Sequence, residues 1–274
     1  MKVHANVMIK NEELLLSQVL PMWEKYQIDE WVFYDDNSTD NTVELIKDTF
    51  GDKATVFNDR LPKFHESHNR SRMFEHSRDS KADFAIAIDA DELMSASLVK
   101  NFEKILQMNK KRNIMYYWYN VVGGLQHYRR DPLYRENHRV FIIPVENAGK
   151  FNMSDYKYHT PRTPPVSLQP ALMKDAGFIH LQSINKRFYA LKQLWYKHYE
   201  HKEYGHTIEQ INSRYDPVVN GLNFMEEKTP EFIIDGIKFD PSVYDRLADT
   251  KGYKEYILDN KVNNLVTFGK EFLE

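Results

Sequence analysis

The chain has 274 residues, 42% of them hydrophobic and 28% charged, which is enough for a sizeable core in one large domain or one domain plus an extension. A formal net charge of -3 gives no bulk attraction to nucleic acid, and the absence of cysteine excludes disulfides and thiolate metal sites. No apolar run approaches about 20 residues, so no membrane-spanning helix is expected.

The start, Met1-Lys2-Val3-His4-Ala5-Asn6, runs straight into a strand-like pattern without the apolar core of a signal peptide. A first strand is predicted over residues 3–9. Lys10-Asn11-Glu12-Glu13 then opens a helix whose apolar face is Leu15, Leu16, Val19, Met22 and Trp23, with Pro21 ending or kinking it. A second strand, Trp31-Val32-Phe33-Tyr34, runs into Asp35-Asp36-Asn37-Ser38-Thr39-Asp40-Asn41-Thr42, a turn dense in cap-forming residues. Asn41 and Glu44 have capping-box spacing, and Val43, Ile46 and Phe50 form the next helical stripe, closed by Gly51. Residues 54–57 form a third strand and 65–78 a polar helix anchored by Met73 and Phe74.

Phe84-Ala85-Ile86-Ala87-Ile88 is the apolar run of a buried parallel strand, and Asp89-Ala90-Asp91-Glu92 follows without a spacer. Acids at the carboxyl end of such a strand sit where open α/β sheets bind ligands. On extended backbone Asp89 and Asp91 would project to one side, and their repulsion would be relieved by a hard dication carrying a diphosphate. An acidic first turn on a helix from Leu93 onward is the simpler structural explanation.

Three strands alternating with helices ahead of this run predict βαβ units and a parallel sheet. Further on, Leu98, Phe102, Ile105 and Leu106 mark a helix, residues 114–122 and 140–143 strands, and residues 144–177 a proline-broken loop. Phe178-Ile179-His180-Leu181 returns to strand, and residues 185–203 form an aromatic helix carrying Trp195. From Asp216 an extension is expected, with a Phe232-Ile233-Ile234 strand and then helical segments.

The three blocks Val7-Met8-Ile9-Lys10-Asn11-Glu12, Tyr34-Asp35-Asp36-Asn37-Ser38-Thr39-Asp40-Asn41-Thr42 and Ile88-Asp89-Ala90-Asp91-Glu92 together resemble the family-2 glycosyltransferases of GT-A fold, in order and each at a strand end. The chain carries Met8 and Lys10 where the commonest members have Thr and Tyr. A looser likeness to one bacterial and viral branch extends through Tyr158-His159-Thr160-Pro161-Arg162, Ile179-His180-Leu181 and Lys192-Gln193-Leu194-Trp195-Tyr196.

The resemblance implies an α/β fold with a GT-A type, Rossmann-like mixed sheet flanked by helices and a C-terminal helical extension. It implies a glycosyltransferase domain over 1–215, with a nucleotide-binding half to about 95, an acceptor half over 96–215, and the extension over 216–274. The implied activity is metal-dependent, inverting transfer of a sugar from a nucleotide-diphosphate sugar to a glycan or other hydroxyl acceptor, with Mn²⁺ or Mg²⁺ as cofactor.

By position, Met8, Lys10, Asn11, Glu12, Asp36, Arg70, Arg72, Asp89 and Ala90 would bind the donor, and Asp89, Asp91 and His180 the metal. Glu136, Asp155 and His159 are the candidate general bases, with Glu136 favoured, and Tyr158, Arg162 and Trp195 would line the acceptor side. Each has a plainer alternative: capping for Asp36, a solvated helix face for either arginine, a core position for His180 and Trp195, a surface ion pair for Glu136.

Two other functions fit the same acids: a sugar-nucleotide-forming nucleotidyltransferase, or a non-catalytic nucleotide-sugar or glycan-binding module. The first would usually carry a glycine-rich phosphate loop after the first strand, where this chain has Lys10-Asn11-Glu12-Glu13. No nucleic-acid partner is expected, oligomeric state is open, and a cytoplasmic location is expected, with or without peripheral attachment to a membrane.

Overall fold

A computed structural model describes residues 1–61, 65–134, 136–151, 161–165, 169–220 and 226–274. In chain order the first elements are β1 (Val3–Ile9), α1 (Glu13–Trp23), β2 (Glu30–Asp35), α2 (Thr42–Phe50), β3 (Ala54–Phe57), α3 (Glu66–Asp79), β4 (Phe84–Ala87), β5 (Glu92–Met94) and α4 (Ala96–Met108). They are followed by β6 (Ile114–Asn120), β7 (His127–Arg129), β8 (His138–Pro144), β9 (Ala171–His180), α5 (Lys186–Tyr204), α6 (Ile208–Asn220), β10 (Glu226–Lys228), α7 (Glu231–Ile234), α8 (Val243–Thr250) and α9 (Tyr253–Asp259).

Among the described residues the main sheet has eight strands in the order β3-β2-β1-β4-β8-β6-β9-β5. β1 pairs parallel with β2 and β4, and β2 with β3, whereas β8 runs antiparallel to both β4 and β6. This is the expected mixed α/β sheet flanked by helices. β1, β2 and β4 are almost wholly buried, as central parallel strands must be, and that is why they read as uninterrupted apolar runs.

The chain divides into two compact units. One comprises Met1–Trp118, His138–Ile179 and Glu231–Ile237; the other comprises Tyr119–Asn137, His180–Pro230 and Lys238–Glu274. The 215/216 boundary expected from sequence falls inside α6.

In the first unit, α1 and α2 are held to β2 by an aromatic stack. Trp23 lies on Trp31 at 4.8 Å between ring centroids, and Trp31 on Phe50 at 5.0 Å. α1 continues through Pro21 to Trp23 rather than ending there. The missing N–H falls in its last turn, where Glu24 N–H still reaches Leu20 O, so little hydrogen bonding is lost.

The expected Asn41–Glu44 capping box does not form. Asn41 makes no side-chain cap and instead donates to Glu13 Oε1, while Asp40 Oδ1 accepts from Thr42 N–H at the start of α2. The helix expected from Leu93 is preceded by β5, and α4 begins only after Ser95, whose Oγ accepts from Leu98 N–H. The expected long loop ends at residue 170, because β9 begins at Ala171. Phe232-Ile233-Ile234 is helical, in α7, which packs on α4.

In the second unit, α6, α8 and α9 pack on α5. Asn185 caps α5 by accepting from Phe188 N–H, and Gly205 ends it at φ 66°, a left-handed position that favours glycine. β7 and β10 form a small antiparallel pair. Beside it Arg129 is buried, bonded to Asp131 at 2.8 Å and lying 4.0 Å over the Tyr134 ring. Among the described residues, no helix is long and apolar enough to cross a membrane.

Candidate active site

Parallel pairing of β2, β1 and β4 brings three strand ends side by side. Lys10, Asn11 and Glu12 leave β1, Asp35 and Asp36 end β2, and Asp89 lies two residues beyond β4. The sheet order thus places the three sequence blocks together at one edge of the first unit.

The first two blocks are laced by hydrogen bonds. Asp36 N–H donates to Ile9 O, and Asp36 Oδ2 accepts from Lys10 Nζ at 2.9 Å. Asn11 sits at φ 51°, a left-handed conformation that asparagine tolerates, with its N–H on Ser38 Oγ and its Oδ1 accepting from Thr39 N–H. Glu12 N–H donates to Thr42 Oγ1. Asp35, directed elsewhere, accepts from Ser38 N–H and from Asn58 Nδ2. Met8 is half-buried against the Val32, Tyr34 and Met73 cluster. Burial, together with the charges of Asp59 and Asp36, pushes the Tyr34 phenol up to about 12, so the hydroxyl stays protonated.

The third block is a turn, not the extended backbone assumed from sequence. Glu92 N–H donates to Asp89 O, and Glu92 Oε2 accepts from Asp89 N–H at 2.8 Å. Asp89 and Asp91 therefore do not stand as an i, i+2 pair on extended backbone, although both are half-buried in the turn that joins β4 to β5.

Arg162 closes this turn: Nη2 lies 2.7 Å from Asp89 Oδ2 and Nη1 lies 2.6 Å from Glu92 Oε2. Its guanidinium stands 4.7 Å over the Trp118 ring and 5.3 Å over that of Phe141. Burial alone would lower the Arg162 pKa, but Asp89 and Glu92 outweigh it and hold the group firmly cationic, with a further contribution from Asp91. On the other side Arg70, buried in α3, is bonded to Glu66 at 2.9 Å and lies 3.4 Å from Asp89 Oδ1. Arg72 is exposed, over the Phe57 ring at 4.6 Å.

Other expected site residues occupy different surroundings. Ala90 is buried in the acidic turn. His180, in the second unit, is buried with Nδ1 2.6 Å from Asn120 Oδ1. Glu136, also there, is exposed in a turn just ahead of β8. Trp195 packs among Tyr196, Tyr199, Tyr253 and Tyr256. Asp155, Tyr158 and His159 lie outside the described residues.

Sequence reasoning missed Glu66, Trp118 and Asn58. Glu66 stands four residues before Arg70 on one helix face, a spacing that signals an ion pair. Nothing local marks the other two.

The donor chemistry at the acidic turn is oxygen only, from carboxylates, which suits a hard dication such as Mg²⁺ or Mn²⁺. Asp89 and Asp91 would hold it, and a cation there would share or replace the guanidinium contacts that Arg70 and Arg162 make with Asp89.

Three adjacent strand ends of an α/β sheet thus carry Lys10 with Asp36 and the acids Asp89 and Asp91, with Arg70 reaching Asp89 from α3. The family model described as glycosyl transferase family 2 matches residues 8–163, more than half of the chain, and the chain belongs to that family.

Among solved structures, TarS 1–349 of S. aureus in complex with UDP-GlcNAc is 17% identical, over 44% of this chain and 35% of that one, with a TM-score of 0.37. A second TarS 1–349 structure is 11% identical over 95% of this chain and 81% of that one, TM-score 0.46. Glucosyl-3-phosphoglycerate synthase from Mycobacterium tuberculosis with Mn²⁺, UDP and glucosyl-3-phosphoglycerate is 14% identical over 54% and 58% of the two chains, TM-score 0.37. The match to the first of these spans about a third of that protein's length. No curated protein matches the sequence.

Proposed function

We propose that the chain transfers a sugar from a nucleotide-diphosphate sugar to a hydroxyl acceptor, with inversion and with a divalent cation. The observation that carries this reading is that Lys10–Asp36 and Asp89–Asp91 stand at adjacent strand ends within one unit, with Arg70 reaching Asp89 from α3.

Asp36 would exchange its exposed lysine partner for a donor N–H on the base, and Arg70 would form charge-assisted hydrogen bonds to diphosphate oxygens. Met8 to Glu12 would line base and ribose. A cation on Asp89 and Asp91, when bound, would offset charge on the departing nucleoside diphosphate. A general base takes the acceptor hydroxyl proton as its oxygen attacks the anomeric carbon and the bond to the diphosphate breaks. Glu136 is the favoured base, with Asp155 and His159 as the other candidates. Tyr158 and Trp195 would offer aromatic faces to the acceptor, whereas Arg162 is engaged with Asp89 and Glu92.

The nucleotidyltransferase alternative is less well supported. It needs backbone N–H groups to cradle phosphate after the first strand, yet those of Asn11 and Glu12 are taken by Ser38 and Thr42. The deciding experiment incubates the protein with Mn²⁺ and either a panel of sugar nucleotides plus an acceptor mixture, or nucleoside triphosphates plus sugar phosphates. Release of a nucleoside diphosphate supports transfer. Release of pyrophosphate from a nucleoside triphosphate, or binding without turnover in Glu136→Gln and wild type alike, contradicts it.

A further inference from the structure

At the opposite, amino-terminal end of the same strands lies a cluster that the transferase reading does not use. His4 is the second residue of β1 and Glu30 the first of β2, and parallel register sets them side by side. His76, in the last turn of α3, reaches the same carboxylate. His4 Nε2 lies 3.2 Å from Glu30 Oε2, and His76 Nε2 lies 2.6 Å from Glu30 Oε1. One donor atom from each of the three lies within 4.8 Å of the others, and among the described residues no other His, Cys, Asp or Glu trio does so.

His4 is the telling member. Its side chain is fully buried, and neither ring nitrogen makes a hydrogen bond. Burial pushes its imidazole down to about 4, leaving at neutral pH an uncharged ring with a lone pair. Glu30 is held below the usual carboxylate range: burial opposes ionisation, but hydrogen bonds from His76 and Thr55 outweigh it. The charges around the cluster are Lys2, 3.9 Å from Glu30 Oε2 on a half-exposed side chain, and Asp29. Thr55 Oγ1 donates to Glu30 Oε1 at 2.8 Å, the kind of outer contact that orients a ligating carboxylate.

We propose that His4, Glu30 and His76 form a binding site for a transition-metal dication of the Zn²⁺ class, with solvent as a fourth ligand. Two nitrogens and a carboxylate suit such an ion, and not Mg²⁺ or Ca²⁺. Two donors about 2.0–2.1 Å from a tetrahedral zinc stand roughly 3.3 Å apart, close to the His4–Glu30 spacing. The ion replaces the His76–Glu30 hydrogen bond and meets the lone pair of His4. His4 is in register with Ala85, four residues before Asp89, so the ion lies roughly 13 Å along the strands from the acidic turn and is distinct from any cation there. Its role is to pin α3, which carries Arg70, to the amino ends of β1 and β2.

The test uses untagged full-length protein stripped with chelator, then dialysed against Zn²⁺ with metal analysis, and titrated with Co²⁺ in the visible range. One tightly bound Zn²⁺ per chain is expected, with strong d–d bands of low-coordinate, nitrogen-ligated Co²⁺ and a Zn²⁺-dependent rise in Tm. His76→Ala and Glu30→Gln, each checked for folding by circular dichroism, should weaken Zn²⁺ binding by about tenfold or more. Asp91→Asn should leave the Zn²⁺ stoichiometry and the cobalt bands intact. If His76→Ala does not fold, His76→Gln takes its place. Failure of wild type to bind one Zn²⁺, or wild-type affinity in folded His76 and Glu30 variants, overturns the proposal.

Discussion

The guanidinium of Arg162 and the carboxylate of Asp89 stand 2.7 Å apart, and the same guanidinium reaches Glu92 at 2.6 Å. The family resemblance sets Arg162 on the acceptor side; its partners in the structure are the acids of the β4–β5 turn. Arg162→Met should destabilise the protein by about 3 kcal/mol, the lower end of what breaking a buried pair costs, because Asp89 N–H still serves Glu92. Urea unfolding measures this. A change within 0.5 kcal/mol would show that the pair is not holding the turn.

Asp36 allows binding and stability to be separated. Its lysine partner is 59% exposed, so the pair contributes at most about 1 kcal/mol to folding. A hydrogen bond from a nucleotide base to the charged carboxylate is worth about 1.5–3 kcal/mol. Asp36→Ala should therefore leave Tm nearly unchanged while weakening nucleoside diphosphate binding by about tenfold or more, read by calorimetric titration.

Trp23 links the core to the site. It stacks on Trp31, and its indole N–H donates to Glu92 O at 3.1 Å, the backbone of the acidic turn. Trp23→Ala should cost about 3–5 kcal/mol in unfolding free energy. Trp23→Phe keeps most of the stack and loses the hydrogen bond, so it should cost about 1 kcal/mol and weaken metal-dependent binding more than it lowers Tm.

The second unit should carry an acid sensitivity of its own. Burial holds the His198 imidazole below its ordinary value, outweighing the Leu194 carbonyl that accepts from Nδ1, with Lys197 and His201 lowering it further. Nε2 faces Val262 N–H, a donor, so a second ring proton has no acceptor there. The unfolded chain takes up this proton near 6.5 and the folded chain only at lower pH. Stability conferred by neutral His198 is thus complete above about 6.5 and lost as pH falls below it. Unfolding free energies at pH 7.5 and 5.5 should drop more for wild type than for His198→Gln; parallel drops would contradict the assignment.

What could be read from sequence follows burial. β1, β2 and β4 are covered on both faces, so their apolar runs are unbroken and the βαβ order is visible. β5 is three residues long, too short for any period, and its buried Glu92 is partnered by Asp89 N–H and by Arg162 from far along the chain. Lys174 and Asp175 hid the start of β9, because they are exposed positions in a strand whose burial becomes continuous only from Ala176. Phe232-Ile233-Ile234 fits strand or helix equally, and packing on α4 decides it. In the site, Asp36 and the acidic turn were visible as acids at strand ends. Glu30, His4 and His76 come from three elements; strand register pairs the first two, and packing of α3 on the sheet brings the third.

The proposed transfer depends on a cation held by the acids after β4 and gripping the donor diphosphate. Calorimetric titration of nucleoside diphosphates into wild type and Asp91→Asn, each with Mn²⁺ and with chelator, tests it most directly. Tight binding is expected only for wild type with Mn²⁺, weakened by about tenfold or more in chelator or in Asp91→Asn. Equal affinity under all four conditions would contradict it.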